Sequence, residues 1–295
     1  MSAAAPDPTP TPDDLRATSR ERWERSAPVW EERRDWFQAA AAPVSHAMIE
    51  LLNPQPGHVV LEAAAGLGDT GLLAAELVHP GGKVILSDGA EAMVEAAKRH
   101  AAERGIVNVD VSPMELEWLD MPAASVDGIL VRFGYMLVPD PETALRDARR
   151  VLRPGGRIAL AVWDRVEDNP WLGLGTTLLA DRGLTEPWSP DSVEPGPFSL
   201  SSRDRLDELL GGTGFVLPEI VRLDVAFRSP SAAAARENFL AFSDRATTAL
   251  ADVPADERAA VHAEIEEAFS AFPDPDGPDG AIALPGAVLV AGADA

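Results

Sequence analysis

Two glycines, Gly66 and Gly68, stand where the apolar run Val59-Val60-Leu61 gives way to Leu72, Leu73 and Leu77 at helical spacing. Neither glycine carries a Cβ, so the main chain can turn tightly there and lie close to a ligand. A strand, a glycine turn and a helix start in that order point the free N–H groups of the first helical turn into the bend, a setting that suits a nucleotide-like cofactor. The same pattern also serves as an ordinary strand–helix turn. The second feature is Asp88, 20 residues after Gly68, closing the strand-like run Lys83–Ser87. In doubly wound folds an acid at that place accepts hydrogen bonds from a ribose. It can equally cap a helix over 91–104, and the two roles are compatible.

Groups able to move a proton are few. Tyr135, the only tyrosine, follows the strand-like stretch 127–133, Asp164 ends the stretch 157–163, and His46 lies on a helical segment 44–52. Each is a candidate base or orienting group for an acceptor, and each also reads as a packing or capping residue. Trp23, Trp30, Trp36 and Phe37 crowd one early segment, where they either pack helices on the core or form a lid over a cleft. Trp163 and Trp171 flank the end of the fifth strand-like stretch. No His and carboxylate grouping has metal spacing, and the absence of Cys removes disulfides, Cys-ligated zinc and a thiol nucleophile.

The elements that must position these groups follow from periodicity. Strands are expected at 58–63, 83–87, 108–112, 127–133 and 157–163, with helices at 71–78, 91–104 and 141–152. Such alternation means a parallel sheet with helices on both faces. Pro80-Gly81-Gly82 and Pro154-Gly155-Gly156 read as turns feeding the second and fifth strands. Residues 1–14 are expected to be disordered, with Asp14 capping the helix that follows, and 15–56 to form a helical lid. Residues 57–164 would be the core, 165–200 a cap insertion with one helical piece near Trp171–Leu179, and 201–295 the rest of the sheet. Within that last part, Ser202–Leu210 reads as a helix and Val216–Phe227 as a strand. An insertion of two helices, split at Val253-Pro254, fills 231–272, and two short extended pieces at 281–284 and 287–291 close the chain.

A formal charge of −23 disfavours polyanionic partners, so no nucleic-acid surface is expected; the arginine-rich run 146–157 reads as the solvent face and end of a helix. No apolar run approaches a membrane span, and residues 1–14 do not read as a signal peptide. A cytoplasmic protein, monomer or homodimer, is expected.

Four motifs in series resemble those of the class I S-adenosylmethionine-dependent methyltransferases, closest in flavour to the small-molecule enzymes of ubiquinone and menaquinone biosynthesis. Leu61-Glu62-Ala63-Ala64-Ala65-Gly66-Leu67-Gly68 is similar to the first motif. Asp88-Gly89-Ala90-Glu91-Ala92-Met93 is similar to the second, Glu115–Leu119 through Asp127 to the third, and Val151-Leu152-Arg153-Pro154-Gly155-Gly156-Arg157 to the turn before strand five. The likeness covers about 23–163, with 199–227 as a weaker tail. It implies a Rossmann-like seven-stranded sheet, mostly parallel, with the last strand antiparallel. It implies S-adenosylmethionine as cofactor, S-adenosylhomocysteine as product, and no metal. Glu62 would end strand one near the methionine part, and the backbone of Ala64, Gly66 and Gly68 would pass beneath the cofactor. Asp88, with Gly89 beside it, would bind the ribose hydroxyls and Met93 would pack by the adenine. Glu115 and the Leu116 amide would read the adenine edge, and Arg132 and Phe133 would contact the methionine end. Ala65, Leu67 and Glu115 depart from the usual residues; Glu115 stands where Asp is common, one methylene longer.

The acceptor would then lie over the carboxyl ends of the strands, walled by Trp23, Trp30, Tyr135, Trp163 and Trp171, and would be a small apolar or aromatic molecule methylated on O, N or C. Two alternatives remain at this stage. The same fold can bind the cofactor for a reaction other than methyl transfer, and a nicotinamide-dependent oxidoreductase also uses a glycine turn and a ribose acid. Against the latter is set the Pro154-Gly155-Gly156 turn that feeds the fifth strand.

Overall fold

The computed structural model describes residues 11–189 and 194–295. Its strands are β1 (Val59–Ala63), β2 (Lys83–Asp88), β3 (Val109–Pro113), β4 (Val126–Arg132), β5 (Leu152–Trp163), β6 (Val216–Ser229) and β7 (Ile282–Asp294). They form one sheet in the order β3-β2-β1-β4-β5-β7-β6. The first five run parallel, and β7 inserts antiparallel between β5 and β6. Val60, Leu61, Ile129, Leu130 and Ile158–Val162 are buried because helices cover both faces, which is why these strands read as unbroken apolar runs. The chain leaves β1 toward β2 on one side and later fills β4 on the other. The carboxyl ends of β1 and β4 therefore flank the switch point where open α/β sheets place their ligands.

The helices are α1 (Pro12–Glu32), α2 (Arg34–Leu52), α3 (Asp69–Val78), α4 (Glu91–Glu103), α5 (Pro141–Val151), α6 (Pro170–Asp181), α7 (Arg203–Gly212), α8 (Ala232–Phe242), α9 (Asp244–Leu250) and α10 (Ala255–Phe269). α1 lies along α4, α2 packs on β5, β6 and β7, and α8, α9 and α10 gather on α6 as a cap.

Several boundaries differ from the sequence reading. The expected disorder of residues 1–10 falls outside the described residues, but 11–14 are ordered. Thr11, not Asp14, is the N-cap of α1. Its hydroxyl accepts from the Asp14 N–H while the Asp14 carboxylate accepts from the Thr11 N–H at 2.9 Å, a capping box that starts the helix earlier than expected. The break between the first two helices falls at Arg33, and α2 runs through Pro43. β5 begins at Leu152 because Leu152 pairs with Val126, and the Pro154-Gly155-Gly156 turn is absorbed as a register shift. The 231–272 insertion holds three helices, since Ser243 ends α8 and caps α9 by accepting from the Ala246 N–H. β7 is continuous through Pro285-Gly286, held by β6 along its length.

Candidate functional site

At the carboxyl end of β1 the backbone takes left-handed conformations at Ala64 (φ 50°), Gly66 (φ 53°) and Gly68 (φ 80°). A Cβ on Gly66 would meet nothing within 4 Å, so this stretch of main chain faces open space. A Cβ on Gly71 would collide with the Glu62 Oε2 and with Leu86, so α3 is seated directly on the strands. Phe133, just past β4, is also left-handed (φ 62°), a conformation costing ~1–3 kcal/mol in a non-glycine residue. The tips of β1 and β4 meet there, since a Cβ on the next residue, Gly134, would lie 2.8 Å from the Ala64 Cβ.

A cavity opens above this turn. Asp88, at the tip of β2, accepts from the Gly66 N–H at 2.9 Å and from the Ala90 N–H at 3.0 Å, so one carboxylate sets both the turn and the start of α4. Burial pushes its pKa up, against the two amides. Gly89 leaves room for Glu115, whose Oε2 would be 2.9 Å from a Cβ at 89. The Leu116 N–H donates to no described backbone carbonyl, although Leu116 is buried. Met93 forms part of the floor with Leu67 and Ala90.

The opposite end of the cavity is polar. Asp69 lies between α2 and β4: Arg34 donates to its Oδ1 at 2.6 Å and Gln38 to its Oδ2 at 2.5 Å. The buried Arg132 guanidinium donates to the Gln38 Oε1 and the Ser45 Oγ at 3.0 Å and comes within 3.8 Å of Asp69; burial pulls its pKa down. Glu62 is fully buried beneath this group, accepts from the Gly71 N–H at 2.7 Å, and has its pKa pushed up to about 7 by burial. Glu62 is not among the residues lining the cavity; it accepts from the first turn of α3 from below, while Asp69 is in the lining.

α1 closes the roof. Arg16 donates to Glu117 at 2.9 Å, Arg20 pairs with Glu115 at 2.5 Å, and Glu24 accepts from the first amides of α4, including Ala92 N–H at 3.0 Å. Further along, Glu31 pairs with Arg99 at 2.7 Å. These residues share one helix face, because 16, 20, 24 and 31 differ by whole turns.

A second chamber of about 620 Å³ adjoins the first and shares Trp23, Trp30, Phe37, Phe133 and Leu137 with it. Its far walls are Trp163, Trp171, Trp188 and residues of α8 and α9. Phe133 stacks on Trp163 at 4.1 Å, and Trp30 meets Trp23, Phe37 and Phe242, so the two chambers are divided by aromatic side chains.

Four expected site residues are thus in the shared or second wall: Trp23, Trp30, Trp163 and Trp171. The three candidate bases are elsewhere. The short 3-10 turn Tyr135–Leu137 rotates Tyr135 into the core, where it is 1% exposed and its hydroxyl has no partner among the described residues. Asp164 is held by Arg222 at 2.8 Å and by the Arg165 N–H, away from both chambers. His46 is exposed on the outer side of α2. The sequence reading missed Gln38 and Asp69, and also Arg16, Arg20 and Glu24. Asp69 directly after the glycine turn, and the four-residue spacing of 16, 20 and 24, were the available signals. Among the described residues no group of three or more His, Asp or Glu side chains gathers as a metal site, and no helix is long and apolar enough to cross a membrane.

Comparison with known proteins agrees with this geometry. Residues 44–170 match the ubiE/COQ5 methyltransferase family. The chain is 41% identical over 119 residues to the nocamycin O-methyltransferase of Saccharothrix syringae, covering 40% of this chain and 42% of that one. It spans about half the length of the curated relatives it matches. Among solved structures, the YcgJ protein of Bacillus subtilis superposes with a TM-score of 0.55 at 22% identity, covering 84% of this chain and 97% of that one. The [4+2]-cyclase SpnF superposes with a TM-score of 0.51 at 18% identity, over 86% and 80%. At these identities both likenesses show the fold. Over residues 44–170, set in a sheet of this order, the chain is similar to the ubiE/COQ5 methyltransferase family.

Proposed function

We propose that this chain is an S-adenosylmethionine-dependent methyltransferase acting on a small, largely apolar molecule of aromatic size. The observation that carries the reading is the pair of chambers meeting at Trp23, Trp30, Phe37, Phe133 and Leu137, one beside the glycine turn and one beneath the cap. The residues present fit the cofactor. Asp88 would accept from the ribose hydroxyls, and Glu115 with the Leu116 amide, which donates to no described backbone carbonyl, would offer an acceptor and a donor to the adenine edge. Met93 would pack beside the ring. Asp69, Gln38 and Arg132 together offer the anionic and cationic partners that an amino-acid end requires. When bound, the cofactor supplies a methyl group on a positively charged sulfur.

What the protein contributes is position and dryness. α1 covers the first chamber, and the aromatic divide keeps water from the point of transfer. Among the described residues, none of the five shared by the two chambers can take a proton. At that junction the acceptor therefore needs a nucleophile that is already competent, or one that loses its proton to solvent or to a carboxylate farther along the lining such as Asp244. The direct test incubates purified protein with methyl-labelled S-adenosylmethionine and a panel of phenolic and enolic acceptors. Labelled product together with S-adenosylhomocysteine supports the reading; neither, with tight cofactor binding, favours the second one. That second reading, a non-methylating reaction on the same scaffold, draws on the fold likeness to the [4+2]-cyclase. Calorimetry with S-adenosylhomocysteine against NADH tests the remaining nicotinamide alternative.

A further inference from the structure

The second chamber is apolar over most of its surface, yet its polar groups are lopsided. Arg22, on α1, lines it and stands 3.6 Å from Asp244, too far for a hydrogen bond. Its other charged neighbour is Arg25, and its guanidinium lies 5.1 Å from the Trp23 ring centre. Withdrawal from water pulls its pKa down. Arg245 lines the same chamber, stacked 4.4 Å from the Trp188 ring centre, with its Nε donating to the Thr185 hydroxyl, its Nη2 to the Glu186 carbonyl, and Glu186 and Glu194 as charged neighbours. Two indole N–H groups of the lining, those of Trp171 and Trp188, are buried and have no acceptor. The carboxylates of the lining, Asp244 and Asp252, are exposed at its rim.

Buried donors without acceptors are costly, and native structures leave few of them. The two indole N–H groups are closed off from the chamber, so the donors an occupant can reach are those of Arg22 and Arg245. An occupant that brought only hydrocarbon would leave Arg22 without a hydrogen-bond acceptor, whereas one with a charged acceptor oxygen would supply it and replace Asp244 as its partner.

We propose that the acceptor is an aromatic-sized molecule bearing a carboxylate or comparable monoanionic oxygen group, held by Arg22 and Arg245. This rests on the preceding reading that the second chamber is the acceptor site. A monoanion is specified because Asp244 stands 3.6 Å from Arg22, and Glu186 and Glu194 stand near Arg245, and these acids would repel a second negative charge.

The test titrates the full chain, saturated with S-adenosylhomocysteine, with 2-naphthoate and with its neutral methyl ester by calorimetry, and adds 2-naphthyl phosphate as the dianionic arm. The acid is expected to bind about tenfold more tightly than the ester, as hydrogen bonds to a charged group require, and more tightly than the phosphate. Arg22→Met should bring acid and ester to about equal affinity without altering binding of S-adenosylhomocysteine. Arg22→Lys should restore part of the preference. Ala241→Trp, which places bulk in the lining, should abolish binding of both acid and ester. The inference is overturned if the ester binds as well as the acid, if the phosphate binds best, or if Arg22→Met leaves the preference intact. Survival of acid binding in Ala241→Trp, or no binding of either probe up to millimolar concentration, overturns it equally. Titration with S-adenosylhomocysteine alone reads the methyltransferase proposal separately, and the acid-to-ester preference can still be measured on the unliganded protein if that proposal fails.

Discussion

The Asp88 carboxylate accepts a hydrogen bond from the Gly66 N–H at 2.9 Å, tying the tip of β2 to the glycine turn after β1. Its other oxygen takes the Ala90 N–H at 3.0 Å. One side chain therefore shapes the bend and would still offer lone pairs to a ribose, since each carboxylate oxygen has two. Asp88→Ala removes both functions. Affinity for S-adenosylhomocysteine is expected to fall by about 30-fold, from ~2 kcal/mol for charge-assisted hydrogen bonds, with a lower melting temperature. Asp88→Asn, which keeps one acceptor oxygen, should recover more stability than affinity. Calorimetry beside thermal unfolding separates the two. Unchanged affinity in Asp88→Ala would remove the ribose role.

Glu62 gives a pH dependence of known sign. Burial raises its pKa in the folded protein to about 7, from an ordinary value of 4.5. Between those values the folded state holds a proton that the unfolded state has lost. Stability contributed by this group is therefore present at low pH and declines as pH climbs toward 7, because ∂ΔG/∂pH follows the difference in bound protons. Glu62→Gln keeps an oxygen for the Gly71 N–H and cannot ionise. Urea unfolding at pH 5 and pH 8 should show a smaller loss at the higher pH in Glu62→Gln than in the parent. An identical loss in both would mean that Arg132 keeps Glu62 ionised throughout.

The contrast between what the residues foretold and what they did not is physical. The glycine turn, the acid at 88 and the strand–helix alternation are local: their signals lie within a few residues, and the backbone obeys them. The pairing of Gln38 with Asp69, 31 residues apart, depends on α2 crossing the start of α3, and no local pattern encodes that crossing. Tyr135 shows a finer limit. It stands two residues beyond Phe133 at the mouth of the cleft, yet a three-residue 3-10 turn carries its ring to the opposite side. The break at Arg33 and the unbroken β7 are also tertiary, since Pro285 would end a free strand but pairs opposite Ala226.

Glu24 connects α1 to the first turn of α4 by accepting from the Ala92 N–H at 3.0 Å and from the Glu91 N–H. A carboxylate at a helix N-terminus is favoured both by the free amides and by the helix dipole. The contact holds α1 over the first chamber. Glu24→Ala is expected to release it, speeding dissociation of S-adenosylhomocysteine about fivefold, from ~1 kcal/mol for loss of a cap. Stopped-flow tryptophan fluorescence reads that rate through Trp23 on the same helix. An unaltered dissociation rate would show that α1 does not gate the site.

Tyr135 supplies the last check, because its chemistry and its surroundings point in opposite directions. A phenol beside a cleft is a natural base, but burial pushes the Tyr135 pKa up, out of reach of neutral pH. Its hydroxyl is buried without a partner among the described residues, so the oxygen contributes a desolvation cost and no bond in return. Tyr135→Phe removes that oxygen and keeps the ring. The variant is expected to be as stable as the parent or more so, by up to ~1 kcal/mol, with methyl transfer and its pH profile unchanged. Loss of turnover in Tyr135→Phe with S-adenosylhomocysteine binding intact would instead place the hydroxyl in the chemistry, and would require the Tyr135–Leu137 turn to rotate when the acceptor enters.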